Sequence, residues 1–366
     1  MRRFGRFLVL AGCMFLGAAL ISSTACAQLS QNTVLILSKD DGTLAIVDAS
    51  TLKVVAKVPV GVNPHEVTAS QDGLRAYVSN YGNGSQNTIT VVDLPNQKRL
   101  ETVDLGPLYG PHGLTYVGGY LWFTAEREKL IARLDPATNK MDWEMGTGQT
   151  GTHLLWVAGD MHHIVTVNAG SSTLSLLQQH PVISAEEAKE EIKKGVYSKY
   201  GGQTTRGTNG PPAPDWDESF VDIGGHPEAF DVLHDASGNP TMVWAGRYFG
   251  ANIAVVDYAS KKIVDTIQTD EPNLLRMRFT PNGRLAVVAT DTGHDVLIVD
   301  VASRKIIKQI PIGTGGGGIV VSPDSSRAFV SISTENCVAV IDLKTLTLVG
   351  KINVGPNPDG MWWVGE

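Results

Sequence analysis

The chain has 366 residues, with 30 basic and 37 acidic side chains. Without the N-terminal segment described next, its net charge is near −10. A charge of that sign disfavours nucleic acids and anionic membrane surfaces as partners, because both repel it. Two of the three cysteines lie in the same segment, so the remaining Cys337 has no partner for an internal disulfide.

Residues 1–27 have the three parts of a secretory signal peptide. Three arginines precede an uncharged apolar run at residues 7–21, and residues 25–27 (Ala-Cys-Ala) give a small-x-small cleavage pattern. We therefore expect an exported protein, located in the periplasm or outside the cell. The alternative is lipidated export, because residues 10–13 (Leu-Ala-Gly-Cys) resemble a lipobox. No other stretch approaches the roughly 20 apolar residues of a membrane span.

A short apolar strand that ends in aspartate recurs along the chain. Its aspartates are separated by 45, 42, 122, 43 and 42 residues. The long gap contains a degenerate copy that ends at Gln178, 43 residues after Asp135, and then an insertion of about 36 residues. This makes seven copies at a period near 42. The six complete copies end at Asp48, Asp93, Asp135, Asp257, Asp300 and Asp342.

Each copy has the same surroundings. A first strand, an Asp-Gly or Pro-Asp turn and a second strand precede it, and a fourth strand ending near Val-Gly follows it. Four short strands in a repeat of this length are typical of a propeller blade. The sequence therefore predicts an all-β, seven-bladed β-propeller at residues 28–366, with an insertion at 179–217 within blade four.

The two chain ends predict how the propeller closes. The chain enters its first blade with a second strand at residues 34–37, and residues 358–364 match a first strand that has no blade of its own to follow. We expect the C-terminal strand to complete the N-terminal blade, which removes an open sheet edge.

The segment from Pro64-His65-Glu66-Val67 to the second strand at residues 77–80 resembles the YVTN-type seven-bladed β-propeller repeat family. The resemblance covers nearly the whole mature chain and implies the fold. It implies no single function, since relatives range from surface-layer proteins to cofactor enzymes. Blade three, at residues 110–124, also resembles streptogramin lyase and lactonase-like propellers.

The first strands of a propeller line its central channel, and one residue in each blade is predicted to lie at the channel mouth. Loops between second and third strands open on the same face and add Tyr81, Glu126, Arg247 and Tyr248, while Arg276 follows a mouth position. Blade by blade, the mouth residues are Asp359, His65, His112, His153, Glu228, Leu275 and Gly317. The candidate ligand-binding residues are His65, His112, His153, Glu228, Asp359, Arg247, Tyr248 and Arg276.

Three interpretations of this mouth stay open. The histidines can belong to the repeat itself and bond to neighbouring loops, or they can line a pocket without a metal. In the third, His65, His112, His153 and Glu228 hold a divalent metal ion, because imidazole and carboxylate suit zinc, copper, nickel or iron.

No nucleophile elbow, haem-attachment motif or dinucleotide fingerprint appears in the sequence, so we assign no catalytic residue. We expect a monomeric binding or interaction protein that takes a small polar ligand or a protein segment at the mouth. The alternative is a metal-assisted lactonase or lyase acting at the same place.

Overall fold

The computed structural model describes residues 32–180, 193 and 215–365. The predicted signal peptide and residues 181–192 and 194–214 of the predicted insertion lie outside them. The described residues form seven four-stranded sheets, with short 3-10 turns at Gly82–Gly84 and Ser333–Glu335. None of their helical segments has the length and apolar character needed to cross a membrane. The predicted all-β, seven-bladed propeller is confirmed.

Blades are numbered from the one that holds both ends of the described chain. The strands of blade one are β1 (Thr33–Ser38), β2 (Thr43–Asp48), β3 (Lys53–Pro59) and β28 (Pro358–Val364). Those of blade two are β4 (Pro64–Ala69), β5 (Arg75–Asn80), β6 (Thr88–Asp93) and β7 (Lys98–Asp104). Those of blade three are β8 (Pro111–Val117), β9 (Tyr120–Ala125), β10 (Leu130–Asp135) and β11 (Lys140–Gly146). Those of blade four are β12 (Thr152–Val157), β13 (His163–Asn168), β14 (Thr173–Gln179) and β15 (Trp216–Asp222).

The other three blades repeat the pattern. The strands of blade five are β16 (Pro227–His234), β17 (Pro240–Arg247), β18 (Asn252–Asp257) and β19 (Lys262–Gln268). Those of blade six are β20 (Leu274–Phe279), β21 (Leu285–Thr290), β22 (Asp295–Asp300) and β23 (Lys305–Pro311). Those of blade seven are β24 (Gly316–Val321), β25 (Arg327–Ile332), β26 (Cys337–Asp342) and β27 (Thr347–Asn353).

The C-terminal strand closes the ring as predicted. Strand β28 pairs antiparallel with β1, from Thr33 opposite Val364 to Ser38 opposite Pro358. The first strands of consecutive blades then contact one another in one unbroken circle, from β28 through β4, β8, β12, β16, β20 and β24 back to β28. This circle surrounds the central channel.

Apolar side chains pack between neighbouring blades and form the core. At the seam of blades seven and one, the rings of Phe329 and Trp363 lie 5.8 Å apart, edge to face, among buried valines and isoleucines. The fourth strands are the outer edges, and on β7 most side chains are exposed and charged. Charged edges discourage pairing with other chains.

The repeated aspartate ends the third strand by binding the turn that follows. The Asp48 carboxylate accepts hydrogen bonds from the backbone N–H groups of Ser50 and Thr51 at 2.8 and 3.1 Å, and these bonds lower the pKa of Asp48. Such Asx turns favour a tight connection. In blade four, Gln178 takes this place, and β14 and β15 pair beyond it, so the turn is not formed there.

Candidate functional site

A β-bulge places the predicted mouth residue in every blade. Each is the second residue of its first strand, and the pairing register shifts at that point in all seven blades. In β4, for example, Pro64 pairs with Asn80 and Val67 with Val78, so His65 and Glu66 together lie opposite Ser79. A bulge redirects side chains locally, and here it turns them towards the channel.

In blades two and three, a buried hydroxyl group holds the bulge and ties the blade to the next one. Ser79 accepts a hydrogen bond from the Glu66 N–H at 3.0 Å and donates to the His112 carbonyl at 3.0 Å. Thr124 does the same one blade later: it accepts from the Gly113 N–H at 2.9 Å and donates to the His153 carbonyl at 2.5 Å. The backbone of each of these histidines is therefore fixed by the preceding blade.

Replacement of Thr124 by Val should weaken this connection without changing the side chain's shape. The variant leaves the Gly113 N–H and the His153 carbonyl buried without a partner, and an unsatisfied buried group typically costs about 1–3 kcal/mol. We expect a loss of that size in the free energy of unfolding, measured by urea denaturation. The matched variant Thr266→Val, on outer strand β19, should change the free energy of unfolding little. Equal losses in both variants would contradict a role for the Thr124 hydroxyl in connecting the two blades.

A glycine after the mouth position lets neighbouring first strands approach closely. A Cβ atom on Gly113 would lie 2.6 Å from the His153 carbonyl oxygen, which is closer than van der Waals contact allows. The close approach brings the rings of His112 and His153 to 3.8 Å between centroids. The His65 ring lies 4.6 Å from that of His112 on the other side. The three predicted mouth histidines therefore converge in one ring cluster, here called the stack, in which the His112 ring is tilted against His153 and edge-on to His65.

His153 lies between two carboxylates. Its Nδ1 is 2.5 Å from Glu126 and its Nε2 is 2.7 Å from Glu228. Each carboxylate also has a second partner. The Tyr81 hydroxyl donates to the other oxygen of Glu126 at 2.7 Å. His226 lies 2.9 Å from the other oxygen of Glu228. This is a connected chain of polar groups with fixed directions.

The three histidines differ in charge. Burial lowers the pKa of His65 to about 4 and holds that of His112 well below its usual value. Burial opposes the charge on His153 too, but Glu228 and Glu126 outweigh it and raise its pKa to about 10. At neutral pH, the mouth therefore carries one imidazolium between two carboxylates, next to two neutral rings.

His112 keeps an unused nitrogen at the centre of the stack. Its side chain is only 2% exposed, and its Nδ1 has no hydrogen-bond partner among the described residues. A buried polar atom in that state is expected to meet a water, an ion or a ligand. A ligand that contacts Nδ1 of His112 would therefore satisfy a buried nitrogen that no described residue satisfies.

A second set of charges lies on the other side of the mouth. Arg276 reaches Glu66 at 2.6 Å and Asp359 at 3.6 Å, and Asp359 also contacts Lys39 at 3.1 Å and His65 Nδ1 at 3.7 Å. Burial raises the pKa of Glu66. For Asp359 the positive neighbours outweigh burial and hold its pKa well below its usual range.

Arg247 is the last residue of β17, and Tyr248 begins the loop that follows it. The Arg247 guanidinium donates to the Ile223 carbonyl at 2.6 Å and to the side chain of Asn252. These two hydrogen bonds stabilise the local chain. The Tyr248 hydroxyl donates to Asp291 at 2.6 Å. The Tyr248 ring lies 6.2 Å from that of His226, which contacts Glu228. Ligand contact by these two residues stays a prediction.

The residues best placed for a metal ion differ from the predicted set. His112, Glu126 and His153 each offer one ligand atom, and these atoms lie within 4.8 Å of one another. Glu126 was predicted on this face but not among the metal ligands. The predicted ligands His65 and Glu228 are not in this group; His65 contacts Asp359, and Glu228 contacts Nε2 of His153.

Sequence reasoning missed Glu66, Lys39 and His226. Lys39 follows the second strand of blade one. It therefore lies in a loop between second and third strands, as Tyr81 and Glu126 do, and the same argument would have selected it. Glu66 follows a mouth residue and would point away in a regular strand. Only the bulge, which a single sequence does not reveal, brings it inside.

No family model matches the chain, and no curated protein matches it in sequence. The YVTN-type resemblance therefore stays a prediction, whereas solved structures support the fold. One is described as dihydro-heme d1 dehydrogenase NirN in complex with DHE; it is 17% identical, with a TM-score of 0.60, over 92% of this chain and 75% of that one.

A second similar structure is a functionally unknown protein from Desulfotomaculum acetoxidans DSM 771. It is 10% identical, with a TM-score of 0.68, over 90% of this chain and 98% of that one. At such low identity, likeness does not transfer a functional site. The two comparisons support the seven-bladed β-propeller fold of this chain.

Proposed function

We propose that this chain is an exported binding propeller whose channel mouth takes a small polar ligand. The observation that carries the proposal is the buried Nδ1 of His112, which has no protein partner within the described residues and lies between two other imidazole rings. A repeat histidine with a purely structural role would be expected to bond to a neighbouring loop, as His65 does to Asn63 at 3.0 Å.

The carboxylates near His112 are already oriented, which supports a binding site. The nearby carboxylates of Glu126 and Glu228 are already oriented by Tyr81 and His226, so binding would require little side-chain ordering. NirN, a structure of similar fold, is described as a complex with DHE, which is consistent with a propeller of this kind holding a small ligand.

Native mass spectrometry of the exported, mature protein tests the proposal. We expect one added mass per chain, or a thermal shift with one probe from a panel of Zn²⁺, Co²⁺, citrate, succinate and phosphate. The variant His112→Phe keeps a ring in the stack but removes both nitrogens, and it should lose the ligand. The control His234→Phe, which changes a ring stacked on Trp156, should keep it.

Two results would overturn this function. One is a wild-type protein with no added mass and no shift with any probe. The other is a ligand that stays bound with equal affinity in His112→Phe. Circular dichroism of each variant separates loss of the site from loss of the fold.

A metal-assisted lactonase or lyase is the second candidate. The observation that favours it is the pair formed by His65 and Asp359, in which Nδ1 of the ring lies 3.7 Å from the carboxylate. Such a ring can accept a proton from a substrate bound at the mouth. Hydrolysis of simple γ-lactones in the presence of Zn²⁺, lost in His65→Phe, would support it, and no turnover by the wild-type protein would exclude that reaction.

A further inference from the structure

We propose that the small ligand of the channel mouth is a divalent transition-metal ion of the zinc class, bound by His112, His153 and Glu126. This inference rests on the proposed binding function and names its ligand. Two imidazoles and one carboxylate form a donor set that suits Zn²⁺, Co²⁺ or Fe²⁺ and disfavours Ca²⁺ and Mg²⁺, which prefer oxygen ligands.

The geometry of the three side chains supports the assignment. Their ligand atoms lie within 4.8 Å of one another, and bonds of about 2.0–2.2 Å to a central ion need ligand atoms roughly 3–4 Å apart. His112 carries a buried Nδ1 that has no hydrogen-bond partner among the described residues, so coordination through that atom would break no hydrogen bond.

The groups behind the ligands match the outer shell of a metal site. A metal-bound histidine usually donates its other N–H to a carboxylate or carbonyl, which fixes the ring. With Nδ1 of His153 towards the ion, its Nε2 already has the Glu228 carboxylate at 2.7 Å. With one oxygen of Glu126 on the ion, the other already accepts the Tyr81 hydroxyl at 2.7 Å.

Charge also favours a cation at this point. Glu126 and Glu228 both contact the ring of His153. A divalent ion bound between Glu126 and His153 would be compensated by these two carboxylates. The mouth positions of blades six and seven carry Leu275 and Gly317, whose side chains offer no metal ligand.

Titration with Zn²⁺ alone tests the site, using the metal-free mature chain and isothermal calorimetry. We expect one ion per chain in the wild-type protein and a loss of at least tenfold in affinity for Glu126→Gln and His153→Gln. Tyr81→Phe removes only the outer hydrogen bond, and second-shell changes typically weaken metal binding 10–100-fold. The exposed His162 serves as control: His162→Gln should bind as the wild type does.

Co²⁺ gives a second readout. Its visible absorption should report nitrogen ligands in the wild-type protein and change in His112→Phe, which keeps the ring stack. The inference is overturned if Zn²⁺ does not bind in a saturable way, or if Glu126→Gln and His153→Gln bind it as tightly as the wild type while both remain folded. If an organic molecule is instead found at the mouth, the binding function stands and the metal assignment fails.

Discussion

Deletion of residues 357–366 should leave a chain that does not fold to a soluble monomer. The deletion removes β28, which pairs with β1 along its length and buries Met361, Trp363 and Val364. Burial of one large apolar side chain contributes about 1.5–3 kcal/mol, and a domain is stable by only about 5–15 kcal/mol in all. The loss is therefore comparable with the whole stability, and it exposes a strand edge that invites aggregation.

Soluble yield, size-exclusion chromatography and thermal denaturation measure this effect. A milder variant keeps the experiment informative: Trp363→Ala retains the backbone pairing and should cost about 3–5 kcal/mol, since its ring packs on Phe329 at the closing seam. The control removes Glu366 alone and should behave as the full chain does. A truncated protein that stays monomeric and melts like its parent would show that closure by β28 does not carry the fold.

The blade architecture could be predicted because local chemistry repeats with the period of the fold. The aspartate that ends each third strand binds its own turn, as Asp48 does, and so it appears in the sequence at fixed spacing. Where Gln178 replaces it, the tight turn is absent and the spacing breaks. The period, its one exception and the unmatched terminal strand were therefore sufficient to predict seven blades and their closure.

The mouth was only partly predictable. His65, His112 and His153 share one position relative to the turn after the first strand, and equal positions in equal blades converge. The partners of these rings depend on the bulge and on loop direction. A regular strand would place Glu66 on the face opposite His65. At the bulge, both residues instead lie opposite the single residue Ser79 on the neighbouring strand. The pairing of Glu66 with Arg276 across the channel follows from that shift.

Replacement of Arg276 by Met should destabilise the protein by about 3–5 kcal/mol, because it leaves buried carboxylates without their cation. Arg276 is 6% exposed and contacts both Glu66 and Asp359. Asp359 keeps Lys39 as a partner, at 3.1 Å, so Glu66 loses most. Arg304→Met is the matched control: it breaks a solvent-exposed pair with Asp265, and such pairs contribute little.

The loss of stability in Arg276→Met should grow as pH rises. Burial already raises the pKa of Glu66, and the Arg276 charge opposes that rise, so removing the charge raises this pKa further. A carboxyl group whose pKa is higher in the folded than in the unfolded chain binds more protons when folded, and stability then falls as pH rises through the folded pKa. The deficit relative to the wild type should therefore be smaller at pH 5 than at pH 8.

Urea denaturation of the two proteins at several pH values measures that difference. Adding Glu66→Gln to Arg276→Met removes the stranded charge, so the double variant should recover part of the stability and lose the extra pH dependence. The coupling between the two positions follows from the double-mutant cycle. A deficit that is the same at pH 5 and pH 8, and that Glu66→Gln does not relieve, would mean that Arg276 acts by packing its stem rather than by compensating Glu66.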